Sequence, residues 1–323
     1  MTTPVLPRHL GFELMRVTEQ AALAAGRWMG LNQPEAADRA ASLAMQQMFS
    51  TLEIDGRLVI GEDAKLGPDI PLHSGQALGT GRGPAVDIVA DAIDGCRLLA
   101  QGHGTAVSVA AAAPRGTLWA PVPAIYMDKI IVGKAVGAAL VPECLDAPAA
   151  WTLALVARAV GKRVGDLVVF VLARPRHDAL VAEIRRAGAR VMLSPDGDVL
   201  GALLAITPNS GVDLLMGIGG VPEGVIAACA VRAAGGAMLG RLAPQSAAER
   251  EALLAAGLDT RQILDDERLV SSNQVFFAAT GITDGPLLRG VHYLGDRATS
   301  NSLILRGETH GRRQIITEHL LGE

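Results

Sequence analysis

Between residues 167 and 234 the chain alternates short apolar runs of strand length with longer stretches of helical length, and this rhythm limits the fold more than any other feature. Residues 167–173 read as a buried strand, 177–187 as a helix, 190–193 as a strand, 198–206 as a helix, 212–216 as a strand and 222–234 as a helix. Such a succession builds a mainly parallel, doubly wound sheet whose ligands gather at the carboxyl ends of its strands. Those ends carry Arg174-Pro175-Arg176-His177, Ser194-Pro195-Asp196-Gly197-Asp198 and Gly217-Ile218-Gly219-Gly220-Val221-Pro222-Glu223. The last segment is not a dinucleotide fingerprint, because Pro222 stands where the third glycine belongs and no Walker lysine follows. Its glycines serve a tight turn, or let backbone amides approach a phosphate. Arg174 and Arg176 form either a solvated pair or two guanidinium forks for a phosphate.

The first part reads as α+β. An amphipathic helix spans residues 7–29, and a second starts at Pro34 with Asp38 in its first turns, as a dipole partner or as a ligand. A strand over 52–60, with Asp55-Gly56 as a turn signal, leads to Glu62, and the Gly- and Pro-rich stretch 64–84 reads as a loop. The strand 86–90 then runs into Asp91-Ala92-Ile93-Asp94-Gly95-Cys96. Two carboxylates three residues apart at a strand end cap turn amides, or they hold a divalent cation while leaving metal positions open for phosphate oxygens. Strands follow at 105–113 and 126–133. The expected organisation is a single globular unit with an α+β part over 1–140 and an α/β part over 141–323.

Half of the residues are hydrophobic but only 3% are aromatic, so the core is expected to consist of small aliphatic side chains and closely packed backbone. A net charge of −4 gives no basic footprint for nucleic acid. Apolar stretches are interrupted before membrane-spanning length, and no leader pattern opens the chain, so neither a membrane nor an export route is expected. Cys96, Cys144 and Cys229 are odd in number and lack metal-type spacing, as befits a reducing, cytoplasmic setting.

Taken together, these segments resemble the class II fructose-1,6-bisphosphatases over nearly the whole chain. The resemblance rests on Arg16-Val17-Thr18-Glu19, Ile54-Asp55-Gly56, Val59-Ile60-Gly61-Glu62, Gly79-Thr80-Gly81-Arg82-Gly83, the run 91–95 and Tyr126-Met127-Asp128-Lys129. It continues through Pro175-Arg176-His177-Asp178, Pro195-Asp196-Gly197-Asp198, the glycine run 217–224 and Ala279-Thr280-Gly281-Ile282-Thr283. It implies a layered αβαβα sugar-phosphatase fold, metal binding by the part over 1–140 and sugar-phosphate binding by the part over 141–323, Mn²⁺ or Mg²⁺ as cofactor, and a homo-oligomer, dimer or tetramer. By position, the resemblance makes Asp38, Glu62, Asp91, Asp94 and Glu223 metal ligands. It makes Asp38, Glu62, Asp91, Asp94 and Cys96 the catalytic set. Substrate contacts fall on Asp94, Gly95, Cys96, Tyr126, Arg174, Pro175, Arg176, Asp196, Gly197, Asp198 and Gly220.

The chain also departs from that pattern. Cys96 replaces a threonine, Asn32-Gln33-Pro34-Glu35 lacks the lysine and aspartate of the corresponding run, and Asp63-Ala64-Lys65-Leu66 lacks further acids. Asp94 stands where a glutamate is often found. The expectation is a metal-dependent phosphatase that hydrolyses the 1-phosphate of fructose 1,6-bisphosphate by in-line attack of metal-bound water, its turnover reduced at Cys96 and Pro34. The alternatives are a sedoheptulose 1,7-bisphosphate phosphatase and a catalytically silent, sugar-phosphate-binding regulator.

Overall fold

The computed structural model describes residues 5–61, 63, 67 and 69–322. Two mixed sheets organise the chain. The first is ordered β12-β13-β11-β4-β3-β1-β2, with β14 also paired to β13. Its strands are β1 Asp55–Leu58, β2 Ala77–Leu78, β3 Ala85–Asp94, β4 Val107–Pro114, β11 Phe276–Gly281, β12 His292–Leu294, β13 Arg297–Arg306 and β14 Gly311–Leu320. The second is ordered β10-β9-β5-β8-β6-β7, from β5 Tyr126–Val132, β6 Val168–Leu172, β7 Arg190–Ser194, β8 Leu214–Gly220, β9 Ala237–Leu242 and β10 Leu264–Asp265.

Strand alternation sets the layers. Val86, Ile88, Ala90 and Ala92 of β3 face a cluster with α1 (Leu10–Gly26) and α2 (Pro34–Phe49), whereas Val89 and, on β4, Val107, Val109 and Ala111 face the interior between the sheets. That interior is filled by α6 (Asp198–Ile206), every residue of which is buried, and by α7 (Val221–Ala234), apolar nearly all round. Helices hydrophobic on every side belong in the middle of a molecule. Burial of Val225, Ile226 and Val231 on α7 contributes about 1.5–3 kcal/mol each. On the far face of the second sheet, Val169, Val171, Leu214 and Met216 pack with α4 (Ala149–Val160) and α5 (Asp178–Arg186). The resulting order is αβαβα. Two short helices, α3 (Cys96–Ala100) and α9 (Asp266–Leu269), and the surface helix α8 (Ala247–Ala255) complete it. Among the described residues no helix is long and apolar enough to cross a membrane.

Three expectations change in detail. The second sheet is mixed rather than mainly parallel: β6 runs parallel to β7 and β8, but β5 is antiparallel to β8 and β9. Strand β5 enters from the first sheet without a helical crossover, so nothing forces it parallel. The boundary near residue 140 does not coincide with the division between sheets, because β5 precedes it in the second sheet and β11–β14 return to the first. Local periodicity identifies strands but carries no information about their partners. Finally, Asp55-Gly56 lies within β1, paired with Ala85 and Val86, and the glycine run 217–220 completes β8 instead of forming a loop. Of the expected 64–84 loop, Ala64, Lys65, Leu66 and Pro68 lie outside the described residues, and β2 lies within the remainder.

Candidate active site

The carboxyl end of β3 is bulged. Asp91 pairs with Val109 and Asp94 with Val107, so three steps on β3 match two on β4. The extra residue re-aims the strand end, as bulges beside functional sites do. Asp91 Oδ1 accepts the Ile93 N–H at 2.9 Å, and Gly95, at φ +100°, turns the chain into α3. Asp94 reaches across to the middle layer, where its Oδ2 accepts the Leu200 N–H at 2.9 Å in the first turn of α6. An acid there is favoured by the helix dipole. Burial nevertheless holds the Asp94 carboxyl well above the usual carboxylate range; the Leu200 N–H opposes this, while Asp196, Asp198 and Glu223 add repulsion.

Asp94 opens onto a cavity of about 140 Å³ between the ends of the two sheets, shared with Tyr126, Arg174, Arg176, Asp196, Asp198, Gly220 and Glu223. Its cationic groups are fixed from behind. Arg174 donates to the Pro195 carbonyl, to the Ala173 carbonyl at 3.1 Å and to Asp196 at 3.4 Å. Arg176 donates Nη2 to the Ile218 carbonyl at 2.9 Å and lies 5.1 Å from the Tyr126 ring centre. The Arg97 N–H donates to Asp196 Oδ2 at 3.2 Å, linking α3 to the loop before α6.

A buried ion pair underlies the floor. Lys129 Nζ is 2.6 Å from Asp198 Oδ2, with both side chains nearly inaccessible. Gly219 makes room for it, since a Cβ there would overlap both the carboxylate and the ammonium. Motif reading placed Asp198 but missed Lys129 and Arg97 as parts of the site. A lysine inside the apolar run Met127-Asp128-Lys129-Ile130-Ile131 was the available signal, because a buried lysine needs a buried anion.

The other expected residues are distributed differently. Asp38 and Asp91 line a smaller cavity with Ser42 and Leu72, whereas Asp94 and Glu223 line the larger one. Glu62 lies outside the described residues; its neighbour Gly61 lines the larger cavity. Gly197, at φ +88°, is the N-cap of α6, and Pro175 opens the 3₁₀ turn Pro175–His177. Cys96 does not line the larger cavity: its Sγ–H donates to the Pro34 carbonyl at 3.3 Å, and the side chain packs against the α1/α2 cluster.

The model of the family described as bacterial fructose-1,6-bisphosphatase, glpX-encoded, matches residues 8–319. The chain belongs to this family. It is 40% identical over 329 residues, 98% of this chain and 97% of the relative, to the class 2 fructose-1,6-bisphosphatase of Haemophilus influenzae. It is likewise 40% identical over 327 residues, covering 97% and 96%, to fructose-1,6-bisphosphatase 1 class 2 of Escherichia coli K12.

The divalent cation that the resemblance implies suits the donor types among the described residues lining the larger cavity, which are carboxylates and backbone oxygens. The crowding of Asp94, Asp196, Asp198 and Glu223 is repulsion that a cation relieves. Among the described residues, however, no three His, Cys, Asp or Glu side chains converge closely enough to hold a metal ion.

Proposed function

We propose that this chain is a metal-dependent phosphoric monoester hydrolase that removes the 1-phosphate of fructose 1,6-bisphosphate. The observation that carries the reading is the meeting, in one cavity, of the braced Arg174 and Arg176 with the carboxylates of Asp94, Asp198 and Glu223. A sugar bisphosphate has two anionic ends. Guanidinium forks fixed from behind suit the distal phosphate, which stays bound and supplies orientation. The carboxylate side suits the reacting phosphate only with a cation between them. Mn²⁺ or Mg²⁺, held by Asp91, Asp94 and Glu223 with Asp38 and Glu62, would neutralise phosphoryl charge and lower the pKa of the attacking water. Tyr126 stacks beneath Arg176 and limits its freedom, Lys129 pairs with Asp198 and fixes its carboxylate beneath the cavity, and the Gly220 backbone offers a close approach.

The reading extends to a cytoplasmic homo-oligomer. Support for a reducing setting comes from the cysteines, none of which is joined in a disulfide among the described residues. ³¹P NMR of fructose 1,6-bisphosphate with the protein and diamagnetic Mg²⁺ tests the assignment. The expected result is loss of the 1-phosphate resonance, with orthophosphate and fructose 6-phosphate accumulating. Faster conversion of sedoheptulose 1,7-bisphosphate would transfer the reading to that substrate. Binding without orthophosphate would favour a silent regulator.

A further inference from the structure

His177 is 2% exposed and does not line the larger cavity, yet both of its ring nitrogens are engaged. The Ile218 N–H donates to Nε2 at 2.8 Å, and Nδ1 lies 2.7 Å from the Leu172 carbonyl oxygen. A backbone N–H can only donate, so Nε2 presents its lone pair and the proton sits on Nδ1, donated to Leu172. The neutral ring therefore ties the end of β6 to the end of β8.

Ile218 is held from the same side a second time. Its carbonyl accepts Arg176 Nη2 at 2.9 Å and Nε at 3.3 Å. The β6–β8 ladder pairs Val169 with Leu214 and Phe170 with Leu215, and β6 ends at Leu172. Beyond that point two consecutive side chains, Arg176 and His177, replace the missing strand and take up both backbone groups of Ile218. Gly217 permits this. Its φ is +123°, and a Cβ there would come within 2.9 Å of Nε2.

We propose that His177 is a positioning residue for Arg176: by fixing the Ile218 peptide it sets the carbonyl that holds the guanidinium over Tyr126, at the place of the substrate's distal phosphate. The inference rests on the reading of Arg176 as a phosphate contact. It assigns His177 no contact with substrate and no proton transfer.

A double-mutant cycle tests it, with fructose 6-phosphate binding measured by calorimetry and turnover of fructose 1,6-bisphosphate with Mn²⁺ measured separately. In His177→Asn the amide can still donate to Leu172 but cannot reach Ile218, and binding weakens about tenfold, the scale of one lost hydrogen bond. KM rises with it while kcat stays within about threefold. His177→Gln places an acceptor near the Nε2 position and retains affinity within about threefold. In an Arg176→Lys background, His177→Asn has less than about a twofold further effect, because the two residues act as one unit. Equal losses in both backgrounds would overturn the proposal. Should the Asn variant not fold, ¹⁵N-histidine NMR of the unsubstituted protein decides: the Nε2 signal shifts on saturation with fructose 6-phosphate, and an unmoved signal overturns the inference. Binding without hydrolysis would remove the phosphatase reading and leave the cycle intact. No fructose 6-phosphate binding by the unsubstituted protein would overturn both.

Discussion

Cys96 Sγ donates to the carbonyl oxygen of Pro34 at 3.3 Å, so two positions at which this chain departs from the class II pattern touch one another. The thiol donates to the start of α2, so substitution there is expected to report on helix docking. A thiol donor is weak, so Cys96→Ala is expected to leave kcat within about threefold and to cost about 1 kcal/mol of stability. Steady-state kinetics beside denaturant unfolding measure both, and a loss of kcat beyond about thirtyfold would instead place the sulfur at the attacking water.

Lys129 and Asp198 form a pair that tolerates removal of both members better than removal of one. Lys129→Met leaves a buried carboxylate uncompensated and is expected to cost about 3–5 kcal/mol. Adding Asp198→Asn should restore all but about 1–2 kcal/mol while activity stays low, because the sugar contact proposed for Asp198 is lost. Denaturant titration of the two variants reads the difference. A double variant no more stable than Lys129→Met would show that the pair is not coupled.

Charge crowding at Asp94 sets up opposite effects in the metal-free and metal-loaded protein. The folded state raises this carboxyl through burial first, then through Asp196, Asp198 and Glu223, so its ionised form is a liability without a cation. Asp94→Asn keeps an acceptor for the Leu200 N–H and removes the charge. The metal-free variant is expected to melt at or above the parent's Tm, while the rise in Tm on adding Mn²⁺ disappears. A variant that melts lower and still responds to Mn²⁺ would contradict the assignment.

Acid stability should depend on His177. Burial, chiefly, lowers its pKa below the ordinary value of about 6.5, with Arg176 and Lys129 adding to the effect and the Leu172 carbonyl and Asp198 opposing it. Between the folded and unfolded values the unfolded chain binds the extra proton, so this contribution is complete above about pH 6.5 and is lost as the pH falls through the folded value. Thermal melts from about pH 7 down to about pH 5 are expected to fall less steeply for His177→Gln than for the parent. Parallel slopes would show that His177 does not titrate within that window.

Much of this was legible in the residues, and the reason differs by element. Helix α6 was placed at its observed limits because Asp198 opens it and Thr207 follows an unbroken apolar run. Asp94, Arg174, Arg176 and Asp198 stand out in the sequence because strand ends are where polar residues interrupt apolar runs, and their meeting in one cavity follows from two sheets ending at one place. Strand partnership was not legible, because β11–β14 carry the same periodicity whichever sheet receives them. The orientation of Cys96 depends on a contact with Pro34, 62 residues away. Lys129 and His177 stand within the quoted segments but were given no role of their own, because each acts through a neighbour, Lys129 on Asp198 and His177 on the Leu172 and Ile218 backbone, and such partnerships leave no spacing pattern.

The most direct measurement is phosphate release from fructose 1,6-bisphosphate, with Mn²⁺ or Mg²⁺ added and withheld, by the unsubstituted protein and by Asp94→Asn. The account predicts release that requires the cation and falls by about a thousandfold or more in the variant, on the scale expected when metal-assisted stabilisation of the reacting phosphate is removed. Release that is indifferent to metal or undiminished by Asp94→Asn, or no release from the metal-loaded parent, would contradict it.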